Sequence, residues 1–533
     1  MTSLDAVAAK SPARSFTIST YHPPEHGWRG QLLIKLAIIA GVALVGASIG
    51  GLPLNLIIVP LLPVVLLTLA IVWVLPENRN PPTRLMGVMF FLYTVSIILW
   101  PYYLAIQVPG LPLIEIRRIF LALSIVLFLI CYSSSRAFRE ELKAAALTCK
   151  TEMKLFWAFM GFMLAAVPFS VDIGTALPNF VKYQIGWTAP FLISIYIMIR
   201  AGNLRLFANV IRISAVVLAV IGFFEYRNQG ILWANHIPSF LKVSDPAMIN
   251  LLEPVFRSGE YRVTGPFSVS LSYAEFMAMA MPFFIHYIME GKNFWLRALA
   301  VIAHLAIFGA ILLTRARVGL VGTFAAHGIY FAAWTYRKWR QERNNMLASV
   351  LLFVTPVALA LAVATIYAVP ALRIATFGGG AQSASTNSRW EQVESAIPHI
   401  AQRPIIGYGP GKSASVLGYR NPIGELSIDS YVLAGALDYG ALGFAVMVAM
   451  YAMFVVRGFR VGQAGQGELT NAIPAATGIA VWMFIKIALA QEDNVSILYI
   501  YMGIIVAVAY RLKLELDGAQ KDKQAAPPAA TSH

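Results

Sequence analysis

The chain has 533 residues, 58% of them hydrophobic and only 13% charged, and its mean hydropathy is +0.67. Those proportions exclude a water-soluble globular domain and describe a polytopic membrane protein. The formal net charge of +15 needs no nucleic acid to explain it, because polytopic proteins concentrate Lys and Arg on their inner face. The two cysteines, Cys131 and Cys149, fall near or inside an expected inner loop. They read as reduced thiols without a disulfide framework, and they suggest no metal site.

Residues 1–30 are polar, and no cleavage motif follows the first apolar run, so they read as a retained cytoplasmic tail. A bilayer core of roughly 30 Å needs about 20 apolar residues in a helix, and about fourteen segments meet that rule. They lie at 31–50, 53–75, 85–104, 119–135, 155–171, 186–200, 206–225, 271–290, 295–313, 318–336, 347–369, 429–456, 470–490 and 495–510. Residues 31–510 thus form a single all-α transmembrane domain, and 511–533 a second cytoplasmic tail. With the N-terminus inside, segments such as "PENRNPPTR", "YRKWRQERNN" and "RLKLELDGAQKDK" collect most of the basic residues, which puts both termini in the cytoplasm. Two large loops, 226–270 and 370–428, then face outward, with shorter ones at 105–118 and 171–185. An extracytoplasmic function would be built on them.

The outer loops carry arginines beside points of membrane entry. "FRSGEYRVTGPF" places Arg257 and Arg262 just ahead of a span, and "LLTRARVGL" puts Arg315 and Arg317 in a turn too short to carry them into water. They are on the wrong side to be positive-inside signals. A guanidinium offers a rigid fork of donors that matches phosphate oxygens, so a diphosphate at the outer leaflet is the natural ligand. The alternative is that they snorkel to lipid head groups or pair with carboxylates.

In "STNSRWEQVESAIPHIAQRPIIGYGPGKSA", Ser388 and Glu391 fit a capping box, and Trp390, Val393, Ile397 and Ile400 recur at helical spacing. This predicts an amphipathic helix over the membrane or a cavity, bearing Arg389 as a binding candidate and His399 on its surface. The Gly-rich turn after it, with Lys412, would be a structural turn or an anion holder. Asp429 stands at the mouth of the next span, ahead of Tyr431, as helix cap or as general base. Asp438 lies deeper and requires a partner such as Arg or Lys, or a proton; Lys486, in another span, is a candidate partner or a second anion contact.

Four stretches in this order resemble the O-antigen ligase and O-antigen polymerase superfamily, with the closer likeness to its exopolysaccharide polymerases. They are "YRVTGPFSVSLSYAEFMAMAMP", "LLTRARVGLVG", "SRWEQVESAIPHIAQRPIIGYGPG" and "IDSYVLAGALDYGALGF". Arg262 matches the family's first arginine, and Arg317, or else Arg315, the second. Asp438, Gly440 and Gly443 fall on the acidic and glycine positions of its "yL…E.G..G" helix, while Asp429 and Ser430 stand where the family has His-Asn. That departure puts ligase activity in doubt and favours a polymerase.

The resemblance implies a GT-C-like membrane glycosyltransferase of the bacterial inner membrane, its active site facing the periplasm. Its donor and acceptor would be polyprenyl-diphosphate-linked oligosaccharides, used by an inverting reaction that needs no metal or other cofactor. In that setting Asp429, Arg262 and Arg317 would be catalytic, and Arg315, Arg257, Arg389, Lys412, Lys486 and Tyr431 substrate-binding. A chain-length regulator and export proteins would be partners. The competing readings are an O-antigen ligase and, from another class, a flippase for the same lipid-linked glycan.

Overall fold

A computed structural model describes residues 77–525, apart from 79, 108–112, 244–245, 258, 343–345, 371–372, 374–382 and 422–423. The N-terminal tail and the first two candidate spans lie outside the described residues, as do residues 526–533. Contacts divide the chain into two units, Met1–Glu77 and Asn78–His533.

The second unit is mostly helical, and a helix occupies every candidate position from 85 onward. Its first half runs α1 (Thr83–Leu99), β1 (Leu104–Ile106), β2 (Ile114–Glu115), α2 (Ile116–Ser134), α3 (Arg136–Thr148) and α4 (Lys150–Ala166). There follow α5 (Ile173–Tyr183), a π-helical turn at Gln184–Thr188, α6 (Ala189–Ile199) and α7 (Asn203–Asn228). After β3 (Leu241–Val243), β4 (Phe256–Arg257) and β5 (Glu260–Tyr261) come α8 (Ser270–Glu290), α9 (Phe294–Leu313), α10 (Arg317–Gln341) and α11 (Met346–Ala368). The last part holds α12 (Ser383–Gln402), α13 (Ser413–Leu417), α14 (Tyr431–Ala464), α15 (Ala472–Ile485) and α16 (Val495–Ala525).

By length and composition, α2, α7, α9, α11, α14, α16 and Gly467–Ile485 are able to cross a membrane, while α1 is apolar but shorter. Helices α8, α15 and α16 form the interior: nearly every α8 residue from Ser270 to His286 is buried, as is most of α15. α11 instead exposes most of its surface. The tail expected at 511–533 is helical as far as Ala525, because α16 runs on past its apolar part.

Two of the loops are stitched together at one end of the bundle. β1 pairs antiparallel with β2 and with β3, Leu104 opposite Val243, so the loop after α1 is tied to the loop after α7. β4 and β5 make a small hairpin with Arg257 opposite Glu260.

The amphipathic helix exists but is oriented differently from the sequence expectation. It begins at Ser383, so Ser388 and Glu391 lie inside it and do not cap it. The stripe set against α13 and α14 is Gln392, Val393, Ala396 and Ile400, in contact with Leu417, Leu433 and Leu437. Trp390 and Ile397 point away and are exposed. Residues 392, 396 and 400 stack at a spacing of four, which puts Trp390 and Ile397 on another face.

Candidate active site

The mouth of α14 is built from the backbone upward. The first N–H groups of a helix have no internal partner. Here Ser430, not Asp429, is the cap: its hydroxyl accepts from the Leu433 N–H at 3.3 Å. The Lys486 carbonyl takes the Tyr431 N–H at 3.0 Å. The capping role open to Asp429 is thus filled by its neighbour. Asp429 is held by its own N–H, which donates to the buried Gln392 Oε1 of α12 at 2.9 Å. Its Oδ2 stands 3.8 Å from Arg389 Nε, with both side chains about one-third exposed (36% and 35%).

Arg389 links this carboxylate to three further arginines. Arg257 and Arg389 stand close enough to Arg317 for their charges to act on it, and Arg257 acts likewise on Arg262. They arrive from the β4–β5 hairpin, the segment after it, the start of α10 and α12. Arg262 is aimed by the Thr314 carbonyl, which accepts from its Nε at 2.9 Å, while its buried Nη2 finds no partner among the described residues. Burial, and then the Arg257 charge, push the Arg262 guanidinium down to about 10, still cationic at neutral pH. Like charges held together this way stabilise an anion placed among them.

The other expected binding residues are committed elsewhere. Arg315 has positive φ and turns to Glu260 at the surface. Lys486 is almost wholly buried, 2.8 Å from Glu275 Oε1, with its ammonium also near the Tyr431 and Trp482 rings. The chain unwinds after Ile485 to make this pair, which ends α15 short of the expected 490. Tyr431 lies beneath the surface between Lys486 and Trp482. Lys412 Nζ bonds Asp172 Oδ2 at 2.8 Å, and that bond holds the Asp172 carboxyl down to about 2. His399 sits on α12 edge-on to Tyr408.

Among the described residues Asp438 pairs with no Arg or Lys side chain. Its Oδ1 accepts the N–H groups of Lys412 at 2.9 Å and Ser413 at 2.7 Å, and its Oδ2 that of Gly411 at 2.8 Å. The Gly-rich turn does hold an anion, and the anion is the protein's own carboxylate. The turn can approach because Gly440 breaks α14 with φ 73° and ψ 172°, a conformation essentially confined to glycine. The Leu437 and Asp438 carbonyls then accept from Tyr408 and Gly409, and Leu442 N–H donates to the Pro404 carbonyl.

Sequence reasoning passed over three buried groups: Gln392, Glu225 and Glu275. A carboxylate inside an apolar span was a usable signal for the last two; nothing marked Gln392.

Residues 270–448 match a family described as O-antigen ligase. Over that segment the chain is similar to the O-antigen ligase and polymerase superfamily. The family is one of glycosyl-transferring membrane enzymes, and it implies a lipid-linked glycan substrate. The O-antigen ligase segment contains Arg317, Arg389, Asp429, Asp438 and Gly440, the break in α14, while Arg257 and Arg262 lie just ahead of it. No curated protein matches the chain.

Proposed function

We propose that the protein polymerises polyprenyl-diphosphate-linked oligosaccharide repeat units on the outer face of the bacterial inner membrane. The observation that carries this reading is that Arg389, paired with the Asp429 carboxylate, is grouped with Arg317, Arg257 and Arg262. The arginines hold the donor diphosphate and stabilise the charge that grows as it departs. Asp429, oriented by Arg389 and Gln392, takes the proton of an acceptor hydroxyl. The hydroxyl oxygen forms a bond to the anomeric carbon as the bond to the diphosphate oxygen breaks, and the configuration inverts. Helix α12, which supplies both Arg389 and Gln392, roofs the site. Asp429-Ser430 in place of His-Asn favours a polymerase over a ligase, since the carboxylate can serve as the base.

The test is elongation of defined lipid-linked repeat units by purified protein in proteoliposomes, with donor already on the active side. Arg317→Ala and Asp429→Asn should each lower the rate by about a hundredfold or more, the scale for a charge-stabilising or proton-accepting group. Elongation by both variants at the wild-type rate would overturn the mechanism.

A further inference from the structure

We infer that Glu225, outside the O-antigen ligase segment, is the positioning residue for Arg262. The inference rests on the reading that Arg262 meets the donor diphosphate. Glu225 lies one turn before the end of α7, fully buried. Its Oε1 accepts from the Tyr261 hydroxyl at 2.9 Å, the Thr264 N–H at 2.8 Å and the Thr264 hydroxyl at 3.2 Å. Its Oε2 accepts the Gly265 N–H at 2.9 Å. These donors bracket Arg262 on both sides in sequence, so one carboxylate shapes the segment from which the guanidinium projects.

Neighbouring contacts leave that segment little alternative. Arg262 N–H donates to the Val255 carbonyl at 2.9 Å, and Val263 N–H to the Leu313 carbonyl at 3.3 Å. Gly265 has φ +56°, and a Cβ there would come within 3.0 Å of the Tyr273 ring. The Tyr273 hydroxyl is bonded in turn to the Leu218 carbonyl of α7 at 2.7 Å. With the backbone held at both ends, Arg262 spends its Nε on Thr314 and keeps Nη2 without a protein partner among the described residues. A charged acceptor matched to four donors is hard to replace: the amide of Glu225→Gln turns an N–H toward one of them.

The experiment uses the full chain in nanodiscs and measures the preference for a polyprenyl diphosphate over the corresponding polyprenyl alcohol, beside thermal stability. Arg262→Ala and folded Glu225→Gln should each reduce that preference by roughly tenfold or more, as expected for groups that orient a binding side chain. The double variant should be no worse than Arg262→Ala alone. A Glu225→Gln protein that keeps the wild-type preference, while Arg262→Ala loses it, overturns the positioning role and leaves the diphosphate reading standing. Retention of the preference by Arg262→Ala overturns both. Where Glu225→Gln does not fold, Tyr261→Phe combined with Thr264→Ala removes two hydroxyl donors and spares the carboxylate. That variant must then reduce the preference, and an unchanged preference overturns the inference.

Discussion

Asp429 and Asp438 belong to one apolar stretch and do opposite things. Asp438 is nearly saturated, its two oxygens taking three backbone N–H groups inside the protein. Its replacement by alanine orphans all three donors, each costing about 1–3 kcal/mol when buried. Asp438→Ala should therefore lose much of the protein's thermal stability in detergent, with Asp438→Asn in between because one oxygen can still serve two donors. Asp429→Asn should leave the melting temperature unchanged, since the cap is Ser430 and the side chain is partly exposed, while elongation falls. The sequence placed both carboxylates correctly along the chain. It could not distinguish their roles, because the donors to Asp438 come from a turn far away in sequence and the cap was one residue from where the pattern put it.

At the scale of the element, α14 is two helical pieces joined at Gly440. The break releases carbonyls that the Gly407–Gly409 turn takes up, and the turn fits because Gly407 and Gly440 face each other without side chains. A Cβ on Gly440 would lie 2.7 Å from the Pro404 carbonyl oxygen in a backbone conformation hostile to any L-residue. Gly440→Ala should destabilise the protein by about 3 kcal/mol or more, combining strain and clash. Gly87→Ala, in α1 with nothing within 4 Å, should be neutral or slightly stabilising in the same thermal assay. Helix α12 was legible from spacing, whereas the stripe it buries was not, because Gln392 is a buried polar residue that an apolar count overlooks.

Across the molecule, buried carboxylates fasten loops and helices near the site. Glu225 holds the Tyr261–Gly265 segment, Asp438 the Gly411–Ser413 turn, and Glu275 the loop between α15 and α16 through Lys486 and Asn494. Removing one member of a buried ion pair costs about 3–5 kcal/mol, because the survivor stays charged without a partner. Glu275→Gln and Lys486→Met should each destabilise the protein by that order, and the double variant by less than the sum, as read from thermal unfolding of all three.

Hydropathy alone located the apolar helices from residue 85 onward, because a spanning helix needs only a run of apolar residues of sufficient length. The order of short motifs was likewise enough to recognise the superfamily. Tertiary structure decided which charges meet. Lys412, Lys486 and Arg315 meet carboxylates distant in sequence or across a turn, while Arg257, Arg262, Arg317 and Arg389 converge from four separate segments. Pairing inside a helical bundle depends on which faces meet, and a hydrophobic pattern records where a chain is buried without recording what it is buried against.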